Sequence, residues 1–111
     1  MTEYSKGASG NVAPIATLKG SATGLDMPSG LALDHSGNLF VVTRGSVTEY
    51  ARGASGNVAP IATITGSASG LNGPIRVALN SSGNLFVANI GNHSVTEYAK
   101  GASGNVAPIA T

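Results

Sequence analysis

Apolar positions along the chain fall in short runs, each closed by Gly, Asn, Ser or Pro, and no window carries a 3.6-residue apolar rhythm long enough for a helix. The pattern is all-β. A first strand is predicted over residues 30–34 with a copy over 76–80, and a second over 39–42 with a copy over 85–88. The turns between them, His35-Ser36-Gly37-Asn38 and Ser81-Ser82-Gly83-Asn84, supply the Gly and Asn that tight hairpins need. Leu39-Phe40-Val41-Val42 and Leu85-Phe86-Val87-Ala88 are unbroken apolar runs, the pattern of strands covered on both faces. A third strand over 46–50, with copies over 2–4 and 94–98, alternates apolar and polar side chains as a half-exposed strand does. A fourth starts near Val12, Val58 and Val106 and runs to the following Thr or Ile. It contains Pro14, Pro60 and Pro108, which donate no ladder hydrogen bond and so belong at an edge. The expected order is buried, buried, half-buried, edge.

The strands recur because the sequence does. Gly-Ala-Ser-Gly-Asn-Val-Ala-Pro-Ile-Ala-Thr occurs unchanged at 7–17, 53–63 and 101–111, and Thr-Glu-Tyr at Thr2, Thr48 and Thr96 sets steps of 46 and 48 residues. The two additional residues fall where Thr43-Arg44-Gly45-Ser46 becomes Asn89-Ile90-Gly91-Asn92-His93-Ser94, and length variation confined to one point marks a loop. A four-stranded antiparallel unit of this length, graded from inside to outside, is what a β-propeller blade requires. A parallel β-helix has shorter coils and gives no reason for a proline edge at every fourth strand. Residues 1–18 then form half a blade made of its third and fourth strands, with one blade over 19–64 and another over 65–111.

The run Leu71-Asn72-Gly73-Pro74, Val77-Ala78-Leu79-Asn80, Ser82-Gly83-Asn84-Leu85-Phe86-Val87-Ala88-Asn89 and Asn92-His93-Ser94-Val95 resembles an NHL-type propeller blade. The resemblance covers nearly the whole chain and implies fold rather than activity, because such blades serve lyases, hydrolases, RNA-binding modules and scaffolds alike. Where blades of that family usually carry an acid, this chain has Thr43 and Asn89. Propellers gather ligands on one axial face, and the resemblance carries that face onto Asp26, Arg44, Asn72, Arg76, Asn89, Asn92 and His93.

Two blades do not close a ring, and an isolated pair leaves apolar blade faces in water. The expectation is a homo-oligomer: first a trimer giving six blades, second a two-chain ring. The repeated half blade then has a role as a clasp exchanged between subunits, or else it is spare.

Composition narrows the partners. Charged residues make up 10% of the 111, the net charge is +1, and the six Lys and Arg are scattered singly, which argues against nucleic acid and anionic membrane. No apolar stretch approaches a transmembrane length and the N-terminus lacks the pattern of a signal peptide, so a soluble chain of unassigned compartment is expected. The absence of cysteine excludes disulfides and thiolate metal sites. His35 and His93 have no counterparts in each other's repeat, so no metal and no cofactor are expected. No serine sits in a nucleophile elbow, Asp26 and Asp34 have no visible catalytic partner, and Glu3, Glu49 and Glu97 repeat as structural positions do. The reading is a non-catalytic, self-assembling scaffold, not an enzyme. A multivalent lectin-like propeller is the first alternative, although Tyr and Phe fall on strands and there is no Trp to stack on a sugar. A fragment of a larger lyase or hydrolase propeller is the second.

Overall fold

The computed structural model describes residues 1–111 as three antiparallel sheets. An N-terminal pair joins β1 (Thr2–Glu3) to β2 (Ala16–Thr17). A central four-stranded meander follows in the order β3 (Gly30–Leu33), β4 (Leu39–Thr43), β5 (Ser46–Tyr50) and β6 (Ala62–Ile64). The C-terminal sheet repeats it with β7 (Pro74–Leu79), β8 (Leu85–Asn89) and β9 (Ser94–Tyr98), and Ala110 bridges Glu97 where a fourth strand would run. The registers of the two meanders coincide. Val41 faces Leu31 and Thr48, and Val87 faces Val77 and Thr96.

The hairpins are set locally by one side chain each. Asp34 Oδ1 accepts from the backbone N–H of Ser36 and Asn38 at 2.9 and 2.8 Å, and Asn80 Oδ1 accepts from Ser82 and Asn84 at 3.0 Å each. An Asx turn of this kind fixes the reversal before any long-range pairing forms. Asn38 Oδ1 then receives the N–H of Arg52, and Asn84 Oδ1 that of Lys100, tying each hairpin to the loop after the third strand.

Two features differ from the sequence expectation. The fourth strands begin after the prolines, at Ala16 and Ala62, so Pro14, Pro60 and Pro108 lie in the preceding loop rather than in an edge strand. Each proline lacks the N–H that a ladder residue donates, and the pairing starts only beyond it. Burial also does not fall steadily from the first strand outward. β5, expected to be half-exposed, buries Val47, Thr48 and Tyr50, while Leu31 and Leu33 of β3 are exposed. The cause is placement: β5 lies between two strands and beneath loops, whereas β3 is a sheet edge whose outward face has no neighbour on one side.

The main core lies between the two meanders. Val42, Val47 and Ile64 of the central sheet pack against Leu85, Val87 and Tyr98 of the C-terminal sheet, with Phe40, Val77 and Leu79 at the margin. A smaller cluster of Leu18, Val41 and Tyr50 joins the N-terminal pair to the opposite face of the central sheet. No helix is long and apolar enough to cross a membrane.

Candidate functional site

Of the residues assigned to the axial loop face, Asn89, Asn92 and Arg76 spend side-chain polar groups on neighbouring loops and strand ends. Asn89 is buried, and its Nδ2 donates to Val87 O, Ser94 Oγ and Thr96 Oγ1 at 3.3, 3.5 and 3.2 Å. Its Oδ1 accepts the N–H of Asn72, whose carbonyl accepts from Gly91 N. Asn92 Oδ1 accepts from Ser94 Oγ at 2.7 Å, and His93 holds the left-handed turn at φ 57° that brings the chain back into β9. Asn72, Asn89, Asn92 and His93 are thus brought together around the β8–β9 turn.

Asp26 and Arg44 meet through backbone, Arg44 N donating to Asp26 O at 2.8 Å, while the Arg44 guanidinium reaches Met27 Sδ. The third group is separate. Arg76 Nη1 donates to the carbonyls of Ser29 and Ile75 at 2.8 and 2.9 Å, stitching the edges of β3 and β7 together. Arg76 also lines a cleft of about 370 Å³ with Met1, Pro28, Ser29, Gly30 and Leu31.

The strongest recurrent polar arrangement lies outside the residues that the sequence assigns to a site. Ahead of each meander lies a tight loop, in the central sheet a 3₁₀ turn at Ser21–Thr23. Thr23 Oγ1 donates to Gly20 O and accepts from Leu25 N, and Ser69 Oγ makes the same two bonds with Gly66 O and Leu71 N. The carbonyl of Thr23 accepts from the Tyr50 hydroxyl, and that of Ser69 from the Tyr98 hydroxyl. Asn57 Oδ1 caps the first loop at Ala22 N and Asn105 Oδ1 caps the second at Ala68 N, both at 2.8 Å. Burial pushes the Tyr50 and Tyr98 phenols above their ordinary value of 10.0, with a smaller opposing effect from the neighbouring Thr hydroxyls, which keeps both groups as donors. The signal was present in Gly20-Ser21-Ala22-Thr23-Gly24-Leu25 and Gly66-Ser67-Ala68-Ser69-Gly70-Leu71, where the fourth position is a hydroxyl in both copies.

A cleft of about 490 Å³ opens between the N-terminal pair and the central sheet. Met1, Leu18, Leu31, Leu33, Leu39 and Tyr50 give it an apolar wall, and Glu3, Asp34, His35 and Arg52 also line it. Glu49 lies on the other side of the sheet, beside a smaller cleft that it shares with Asp34 and Lys100. Burial, and secondarily the Asp34 charge, holds its carboxyl above the ordinary value of 4.5. No group of three or more His, Cys, Asp or Glu is placed to hold a metal ion. A scan against protein-family models finds no match to this chain, and a search of curated proteins finds none.

Proposed function

We propose that this chain is a non-catalytic, self-assembling β-propeller module that serves as a structural or interaction scaffold. In this reading each meander is a blade, the N-terminal pair is the outer half of another, and copies of the chain complete a ring, with three chains and six blades preferred over two chains.

One comparison carries the reading. Leu31 and Leu33 occupy the same sheet positions as Val77 and Leu79, since β3 and β7 pair identically with β4 and β8. Val77 and Leu79 are partly buried against the core shared with the central sheet, whereas Leu31 and Leu33 are 54% and 62% exposed. The equivalent apolar surface thus packs against a neighbouring sheet in one copy and lies open in the other. At roughly 25 cal/mol per Å², leaving such a face in water forfeits stabilisation that a further copy recovers. Support for a non-catalytic role comes from the loops, where Asn72, Asn89 and Asn92 hold turns, and from near-identical sheets that offer little of the asymmetry an active site uses.

Sedimentation velocity of the intact chain and of a Leu31→Asp/Leu33→Asp variant tests the proposal. The intact chain is expected as one assembled species and the variant as single chains with an unchanged far-ultraviolet spectrum. Single chains for both would reject it. Turnover of ester, lactone or sugar substrates that vanishes on replacing Asp26 or His93 would reject the non-catalytic part.

A further inference from the structure

We propose that the N-terminal pair β1–β2 is the docking element for a second copy of this chain: it receives that copy's β7–β8 hairpin and the loop before it, taking the place of the copy's own β9 and the segment that follows. This deepens the self-assembly reading above and rests on it.

The starting observation is a third set of side chains that lacks the partners its two twins possess. Tyr4 stands where Tyr50 and Tyr98 stand, at the end of Thr-Glu-Tyr. Tyr50 and Tyr98 are fully buried and donate to Thr23 O and Ser69 O, while Tyr4 is 51% exposed. Asn57 and Asn105 cap the leading loops at Ala22 N and Ala68 N, but the equivalent Asn11 is exposed. Gly56 exchanges backbone bonds with Thr17 and Lys19, and Gly104 with Thr63 and Thr65, while the equivalent Gly10 has only the local bond from Val12 N. Tyr4, Gly10 and Asn11 therefore present the features that, in the other two copies, engage a leading loop. In the structure these three residues meet no leading loop.

The empty cleft has the matching shape. Where the central sheet covers the C-terminal one, it does so with Phe40, Val42, Val47 and Ile64. On the equivalent face of the central sheet, Met1 and Leu18 take the positions of Val47 and Ile64, and Leu18 is buried to 4% exposure. Nothing takes the positions of Phe40 and Val42, and the cleft of about 490 Å³ lies over Leu31 and Leu33, the residues such groups would cover. Phe86 and Ala88 on β8 are the counterparts of Phe40 and Val42.

The register follows from identity of sequence. β8 pairs with β9 as Leu85↔Tyr98, Phe86↔Glu97 and Val87↔Thr96. Because Thr2-Glu3-Tyr4 repeats Thr96-Glu97-Tyr98, the same ladder forms between subunits as Tyr4↔Leu85, Glu3↔Phe86 and Thr2↔Val87. Tyr4 then donates to Ser69 O of the second copy, and Asn11 caps its Ala68 N. The exchange trades one set of bonds for an identical one, so its net effect is the newly covered apolar face, and exchange of identical elements is a low-cost route to assembly. It also gives the open edge of β1 a partner strand.

The chain contains no cysteine, so two single variants, Thr2→Cys and Val87→Cys, report on this ladder without background. Mixed, unfolded together, refolded and oxidised, they are expected to give a disulfide-linked heterodimer within the assembled fraction, because paired strands hold their Cα atoms within bridging distance. A second pair guards against misfolding of the buried Val87 variant. Tyr4→Phe is expected to raise the subunit dissociation constant about tenfold through loss of a buried hydrogen bond made only in the assembly, and Tyr98→Phe to lower it about as much, because the bond it removes is made only in the free chain. Assembled protein without the cross-link, and with a dissociation constant that neither tyrosine change moves, would overturn the exchange while leaving self-assembly standing, with the ring closed on intact C-terminal sheets. Single chains throughout would overturn both. Assembly only in the presence of some other protein would also overturn it, since the occupant would not be this chain.

Discussion

Truncating Phe40 and Phe86 separately asks whether the two equivalent strands have equivalent neighbours. Both side chains are half-buried, and each lies between an alanine and a glutamate across its sheet, Ala32 and Glu49 for Phe40, Ala78 and Glu97 for Phe86. Phe40 packs against the core shared with the C-terminal sheet, whereas within one chain no sheet lies beyond Phe86. A fully buried Phe→Ala change costs roughly 3 to 5 kcal/mol, so the half-buried Phe40 should lose about 2 to 3. Phe86→Ala should lose about 1 kcal/mol or less in a single chain, where only area within its own sheet is given up. In the assembled protein it should lose as much as Phe40→Ala, because Leu31 and Leu33 of another subunit then lie against it. Urea unfolding followed by far-ultraviolet circular dichroism at several protein concentrations measures both, since assembly makes stability concentration-dependent. A Phe40→Ala variant as stable as the parent would mean that β4 does not pack between sheets. A harmless Phe86→Ala at concentrations where the chain is assembled would mean that the outer face of the C-terminal sheet stays uncovered.

Other consequences are more local. Glu49 has a folded-state pKa above its ordinary 4.5, so the native state favours the protonated form, and the stabilisation, complete below 4.5, is lost as pH rises through the folded value. Glu49→Gln should therefore raise the melting temperature at pH 7, and the gain should shrink towards zero near pH 4 in a thermal scan series. Gly66 has φ 112°, and a Cβ there would overlap the Asn105 side chain that caps the leading loop. Gly66→Ala should cost about 2 kcal/mol or more by denaturant unfolding, with parent-like stability refuting the strain. Pro60 precedes β6 and donates nothing to the ladder, so Pro60→Val should change stability by less than about 1 kcal/mol, a loss of several indicating an unrecognised role.

The fold was legible in the sequence to the extent that local chemistry determines it. The hairpins at Asp34 and Asn80 could be read from Gly and Asn spacing, because one Asx side chain organises each turn. The third strands at Ser46–Tyr50 and Ser94–Tyr98 fall where predicted. The prolines lie outside the ladder although the sequence predicts them inside it, because a strand of two or three residues leaves no alternation to read. Burial of β5 exceeds the half-exposed expectation because Thr48, polar by type, has its methyl-bearing side chain covered and its hydroxyl bonded to Val41 O. The axial face was legible as loops but not as chemistry. Asn89 is assigned to that face by resemblance, but its amide is buried and shared among Val87, Ser94 and Thr96. The tyrosine-to-loop bonds bridge residues 27 and 29 positions apart, a separation that no local pattern reveals.

The proposed ring requires the open face of the central sheet to be covered by another copy of the chain. Light scattering coupled to size exclusion, or native mass spectrometry, measures this directly on the intact 111 residues. The predicted result is a discrete mass of three times the 10.9 kDa chain, with twice that mass indicating the smaller ring. A folded species of 10.9 kDa that persists as concentration is raised would contradict the claim.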